Sequence, residues 1–148
     1  MNIVHNIISG PLATLTGQAI ALFARIITAP RANWLGTAPS ARQRIYFANH
    51  SSHGDTILIW TVLPDRLRAR TRPVAAAEYW NGSALRRFVG HKVFRAVPVD
   101  RRPEGRTDDP LQTILAALED DASLILFPEG TRSPADEGLQ PFKSGLYN

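Results

Sequence analysis

From Leu12 the apolar residues recur as Leu12, Leu15, Ala19, Leu22, Phe23, Ile26 and Ile27, a spacing that predicts a helix with one apolar face. Ahead of it, residues 1–9 are apolar with two Asn and one His, and Gly10-Pro11 is expected to separate the two segments. Beyond the polar stretch at 36–41 the pattern changes, and short apolar runs alternate with amphipathic ones as β-α-β-α units do. Strands are expected at 45–48, 73–77, 93–99 and 123–127, the third an edge strand because Pro98 cannot donate to a neighbour on both sides. Helices are expected at 55–63, ended by Pro64, at 81–90, and at 110–119 with Pro110 in its first position. The fold class that follows is α/β: a mixed, largely parallel sheet flanked by helices, preceded by an N-terminal apolar or amphipathic helical segment. We divide the chain into a membrane-associating helical segment, 1–35, and an α/β domain, 42–148.

Charge changes this picture at the N-terminus. The net charge is +4, no Asp or Glu precedes Asp55, and Arg25, Arg31, Arg42 and Arg44 do. The 13 later basic residues balance the 13 acidic ones, so the whole excess lies beside the most apolar stretch. That pairing suits an anionic membrane surface and not a nucleic-acid groove. Residues 12–27 read as an interfacial, inserted or docked helix, and no basic start marks them as a cleaved signal. Arg66, Arg68, Arg70 and Arg72 read as a solvated face. With 148 residues, 44% of them apolar, the chain suffices for one domain with a core. It has no cysteine, which excludes disulfides, thiolate metal sites and cysteine nucleophiles.

The chemistry concentrates at two expected strand ends. After the first strand comes Asn49-His50-Ser51-Ser52-His53-Gly54-Asp55. An imidazole exchanges protons near neutral pH, and a carboxylate that accepts its second N–H fixes the tautomer and stabilises the imidazolium. Five residues on one helix would set the two side chains roughly 140° apart, so a turn through Ser51, Ser52 and Gly54 must bring His50 and Asp55 together, with Asp55 opening the next helix. After the last strand comes Pro128-Glu129-Gly130-Thr131-Arg132-Ser133. A glycine, a hydroxyl and a guanidinium beyond a strand form an anion cradle, and ligands of open α/β sheets gather at the carboxyl ends of strands.

The Asn49-His50-x4-Asp55 run followed by Phe127-Pro128-Glu129-Gly130-Thr131-Arg132 resembles the glycerolipid acyltransferases, the 1-acylglycerol-3-phosphate acyltransferase type in particular. Val99-Asp100-Arg101 resembles the middle motif of that family, and Phe142-Lys143-Ser144-Gly145 a segment behind its second signature. The resemblance spans about 12–148. It implies a glycerol-3-phosphate acyltransferase-like fold and transfer of an acyl group from acyl-CoA or acyl carrier protein to the hydroxyl of a lysophospholipid, giving phosphatidic acid. It further implies His50 as catalytic base, Asp55 as its orienter, and Arg101, Glu129, Gly130, Thr131 and Arg132 as the acceptor and phosphate site. No cofactor and no metal are implied. The expected partners are the acceptor, the thioester carrier and a membrane surface, without nucleic acid, at the cytoplasmic face of the cell membrane as a peripheral or monotopic protein. Family members continue into a further strand and a proline-containing fourth motif, so the resemblance also implies a C-terminal part beyond Asn148.

Three features depart from this reading or compete with it. Gly54 stands where members carry a bulky apolar residue, which is expected to loosen the turn. A metal-dependent hydrolase is a rival on His53 and Asp55, but Ser51 and Thr56 stand where histidine ligands are needed. A catalytically incomplete lipid-binding member is the other rival. Trp60 is expected in the core and Trp34 at an interface.

Overall fold

The computed structural model describes residues 2–100, 109–133 and 140–142, with side chains from residue 10 onward. Four strands, β1 (Ile45–Phe47), β2 (Thr71–Ala76), β3 (Val97–Val99) and β4 (Ser123–Leu126), form one sheet in the order β1-β4-β2-β3. Every pairing in it is parallel, so no antiparallel strand occurs among the described residues and the sheet is more uniform than the mixed one expected. The helices are α1 (Asn2–Thr28), α2 (Asp55–Val62), α3 (Asp65–Arg68), α4 (Ala77–Asn81), α5 (Ala84–Phe88) and α6 (Pro110–Glu119), with a π-helical turn at Val89–Val93.

Strand β4 lies between β1 and β2, and its two central side chains divide the core. Leu124, fully buried, points to the layer with Val97, Ala117 and Ala122. Ile125, equally buried, points to the opposite layer with Ala21, Trp60 and Phe94. This alternation is the period of a strand with both faces covered. Asp109 caps α6, its carboxylate accepting from Leu111 N at 3.0 Å, with Pro110 at the first helical position where a missing N–H costs nothing.

Helix α1 runs through Gly10-Pro11 without the expected break, giving up one backbone hydrogen bond at Pro11. Its orientation is the larger finding. The face docked on the domain is made of small residues, Ala13, Gly17, Ala21 and Ala24, and a Cβ on Gly17 would meet both Trp60 and Val93 at 3.2 Å. The predicted apolar face points outward, with Leu12, Leu15, Leu22, Phe23, Ile26 and Ile27 all between 53% and 70% exposed. The small residues permit a close approach that larger ones would prevent.

Two expectations fail in the middle of the chain. The expected helix at 81–90 is divided into α4, α5 and the π-helical turn, and the expected strand at 93–99 is a strand only at Val97–Val99. Phe94, 2% exposed, fills the Trp60 and Ile125 layer from the end of the π-helical turn, so its apolar neighbourhood is a turn packed into the core. Pro98 does lie on an edge strand, as expected. The four arginines at 66–72 are not one solvated face: Arg68 is 8% exposed, with its guanidinium 5.0 Å from the Trp60 ring centre.

Candidate active site

Strands β1 and β4 are parallel neighbours, with Phe47 opposite Leu126, so the loops after their carboxyl ends emerge side by side. The pairing continues one step further, Ala48 N donating to Leu126 O at 3.1 Å. The first loop then turns sharply into α2. Ser52 Oγ accepts from Gly54 N at 2.9 Å, and the Asp55 carboxylate reaches back to accept from Ser51 N at 2.7 Å and Ser52 N at 2.8 Å. The Ser52 hydroxyl and the Asp55 carboxylate thus close a hydrogen-bonded turn ahead of α2, whose N-cap position is Gly54.

The same carboxylate oxygen, Oδ2, meets His50 Nδ1 at 3.1 Å. The expected pair is therefore assembled by the expected turn, with Asp55 opening α2. Burial by itself would raise the Asp55 carboxyl, but the backbone donors of Ser52 and Ser51 together with His50 outweigh it and hold it below the ordinary carboxylate value. An ionised Asp55 can only accept, so Nδ1 carries the proton and Nε2 keeps the lone pair. The ring is stacked on Phe127, centroids 4.1 Å apart and planes 21° apart. Gly54 has φ −74°, an ordinary helical value, and a Cβ there would meet only Ser52 Oγ at 3.2 Å, so the turn is set by the Ser52 and Asp55 hydrogen bonds and not loosened by the glycine.

Glu129 lies beneath the two loops, 1% exposed. One of its carboxylate oxygens accepts from His50 N at 3.4 Å and the other from the Ser133 hydroxyl, while Ser133 N donates to His50 O at 2.7 Å. The His50 backbone is thus clamped to the second loop through both its N–H and its carbonyl. Gly130 has φ 67°, the left-handed region that favours glycine, and its N–H closes the turn on Phe127 O at 3.0 Å. Thr131 and Arg132 are exposed on the rim.

Arg132 Nη1 donates to His53 Nε2, and the His53 ring stacks on Tyr79 with centroids 5.3 Å apart. On Tyr79 the Arg86 guanidinium sits 5.1 Å from the ring centre. Tyr79 and Arg86 were invisible to sequence reasoning, because they come from α4 and α5 and carry no motif; only the split of the expected helix at 81–90 brings them here. His53, read from sequence as a candidate metal ligand or a loop residue, has its outward nitrogen occupied by a cation, which disfavours the hydrolase reading. Arg101 and residues 143–145 lie outside the described residues, as does Asp108.

The arrangement can do one kind of chemistry directly. A half-buried imidazole with a fixed tautomer, open to the edge of the sheet, can take a proton from a hydroxyl, and an exposed guanidinium on the adjoining loop can hold an anion. A family model described as Acyltransferase matches residues 33–148. No curated protein and no solved structure matches the chain.

Proposed function

The chain belongs to the acyltransferase family, and from that premise we propose that it transfers an acyl group from a thioester, on acyl-CoA or acyl carrier protein, to the hydroxyl of a lysophospholipid at a membrane surface. The observation that carries the reading is the His50 and Asp55 pair at 3.1 Å, held by the Ser51 and Ser52 N–H groups on Asp55 and by the Glu129 clamp at the rim of the sheet.

In this mechanism the acceptor hydroxyl hydrogen-bonds His50 Nε2. Its oxygen attacks the thioester carbonyl carbon as the proton passes to Nε2, and Asp55 stabilises the imidazolium. The tetrahedral adduct then collapses, the carbon–sulfur bond breaks, and the leaving thiolate takes the proton back from His50. The products are an ester and a free thiol, and no acyl-enzyme is formed. A positioned base of this kind contributes roughly 10²–10⁴-fold. Glu129 positions the base through its backbone, and Arg132 with Thr131 receives the acceptor phosphate, Arg132 being pre-oriented by His53. Arg101 is assigned to the same phosphate from the family resemblance.

Membrane attachment is supplied by α1. Its outward Leu, Ile and Phe side chains form an exposed apolar surface, and residues Gly10–Thr28 are long and apolar enough, by length and composition, to cross a membrane. We read the helix as lying at the cytoplasmic face with these side chains in lipid. The test is acylation of lysophosphatidate by a labelled acyl thioester in mixed micelles. Formation of labelled phosphatidate is expected, with Arg132→Ala raising the acceptor KM by about tenfold or more, the loss of one charge-assisted contact, while the donor KM stays within about twofold. An acceptor KM that does not change removes Arg132 from the phosphate site.

A further inference from the structure

A second basic cavity lies at the other end of the sheet. It encloses about 500 Å³ between α1, the end of α2 with α3, and the π-helical turn. Arg68 and Ala69 on its wall immediately precede β2, and Arg95 immediately precedes the β3 approach, so the cavity opens at the amino ends of the parallel strands. His50 stands beyond the carboxyl end of β1, which runs parallel to β2 across β4, and no residue of the His50 and Glu129 loops lines the cavity. The cavity is therefore separate from the proposed acyl-transfer site.

Its wall carries Arg68, Lys92 and Arg95 against one carboxylate, Asp65, with Trp60 as an apolar floor and His91 at the edge. Arg68 is the unusual member. Only 8% exposed, it pairs with Asp65 and lies over Trp60, yet its buried Nε–H has no partner among the described residues. Burial holds its guanidinium below the ordinary arginine value. A buried cation next to two exposed ones, with a single carboxylate among them, is an excess of positive charge that an anion offsets. The α1 wall includes Thr14 and Gln18, and Gln18 neighbours Leu15 and Leu22 at helical spacings of three and four. The cavity thus adjoins the outward apolar face of α1.

We propose that this cavity binds the phosphate of an anionic membrane phospholipid, whose acyl chains lie along Leu15 and Leu22 while Lys92 and Arg95 receive the phosphate above Arg68. The site anchors and orients the domain on the bilayer and is distinct from the acceptor site. It rests on the reading of α1 as a membrane-surface helix.

The test is co-sedimentation with phosphatidylcholine vesicles, with and without about one fifth phosphatidylglycerol, at fixed salt. Wild type is expected to partition more strongly to the anionic vesicles. Lys92→Gln with Arg95→Gln should lower that anionic partition by about tenfold or more, given about tenfold or less per surface cation, and Lys92→Glu at its exposed position should lower it without disturbing the fold. The single substitution Arg87→Gln, at an exposed residue that does not line the cavity, should change it by less than about twofold, against a loss of several-fold in Lys92→Gln alone. Equal losses in Lys92→Gln and Arg87→Gln overturn the proposal, as does unaltered partition when Lys92 and Arg95 are replaced. Competition by millimolar inorganic phosphate overturns the lipid as occupant and assigns the cavity to free phosphate. Failure to bind neutral and anionic vesicles alike refutes the membrane role of α1, whereas binding indifferent to Lys92 and Arg95 refutes the cavity alone. Sedimentation reads binding and not turnover, so none of these results depends on acyl transfer.

Discussion

Asp55 serves two structures with one oxygen, since Oδ2 closes the Ser51–Ser52 turn ahead of α2 and holds His50 Nδ1. Its carboxyl is depressed in the folded state, so its stabilising contribution is complete above the unfolded value of about 3.9 and is lost as pH falls through the lower folded value. Asp55→Asn should therefore cost about 1 kcal/mol at neutral pH, the net worth of a hydrogen bond, and should flatten the acid limb of stability against pH. Thermal unfolding from pH 7 down to pH 2 checks both, and an acid limb as steep in Asp55→Asn as in wild type would place the depressed carboxyl elsewhere. Glu129 permits a sharper separation of positioning from packing. Glu129→Gln keeps the volume but can no longer accept from both the His50 N–H and the Ser133 hydroxyl without offering a donor of its own. It should lower kcat while leaving the acceptor KM within about twofold, as expected of a residue that acts through His50; a selective rise in KM would instead mean that Glu129 touches the acceptor. Much of this was legible in the chain. Ser52-x-x-Asp55 spells its own turn, and the imidazole and carboxylate five residues apart require one. The downward aim of Glu129 was not legible, because the sequence gives a residue's type and loop but not which face of the loop it occupies.

At the scale of elements, α1 was legible as a helix and its apolar face was found correctly, but that this face turns away from the domain needed the structure. An apolar stripe in a soluble domain ordinarily turns inward. Here the complementary stripe of Ala13, Gly17, Ala21 and Ala24 does so, because Trp60 and Val93 leave room for nothing larger at Gly17. Two substitutions distinguish the faces. Gly17→Val should destabilise the domain by about 1–3 kcal/mol through overpacking, measured by denaturant unfolding. Phe23→Ser with Ile26→Ser should leave that stability nearly unchanged, since both side chains are more than 60% exposed, and should weaken vesicle binding by roughly tenfold or more. Stability lost in the second variant and not in the first would invert the assignment of faces. The π-helical turn was misread for a different reason. The run from Val93 to Val99 is short and apolar, and periodicity alone does not separate a buried strand from a buried helical turn. Gly90 marks the turn, since a Cβ there would lie 2.5 Å from the Trp80 ring, but a glycine in sequence does not name the side chain it makes room for.

Across the whole molecule, the strand order accounts for the site. Because β4 inserts beside β1, the loop with His50 and the loop with Glu129 and Arg132 are neighbours although 79 residues separate His50 from Glu129. A largely parallel α/β sheet was legible from the alternation of elements, and the meeting of the His50 and Glu129 loops beyond its carboxyl edge followed from the fold class. The insertion of β4 between β1 and β2 was not, since strand order depends on crossovers that local sequence does not record. On the proposed function the fold separates two tasks: proton transfer and the acceptor phosphate at the carboxyl edge, and attachment to the bilayer along α1 with its basic cavity at the amino edge. The central claim is that His50 is the base of an acyl transfer. Its most direct measurement is the rate of thioester-dependent acylation of lysophosphatidate by wild type and by His50→Ala at equal concentration and saturating substrates. The account predicts phosphatidate formation by wild type and a loss of roughly 10²–10⁴-fold in the variant, whereas a His50→Ala rate within about twofold of wild type would contradict it.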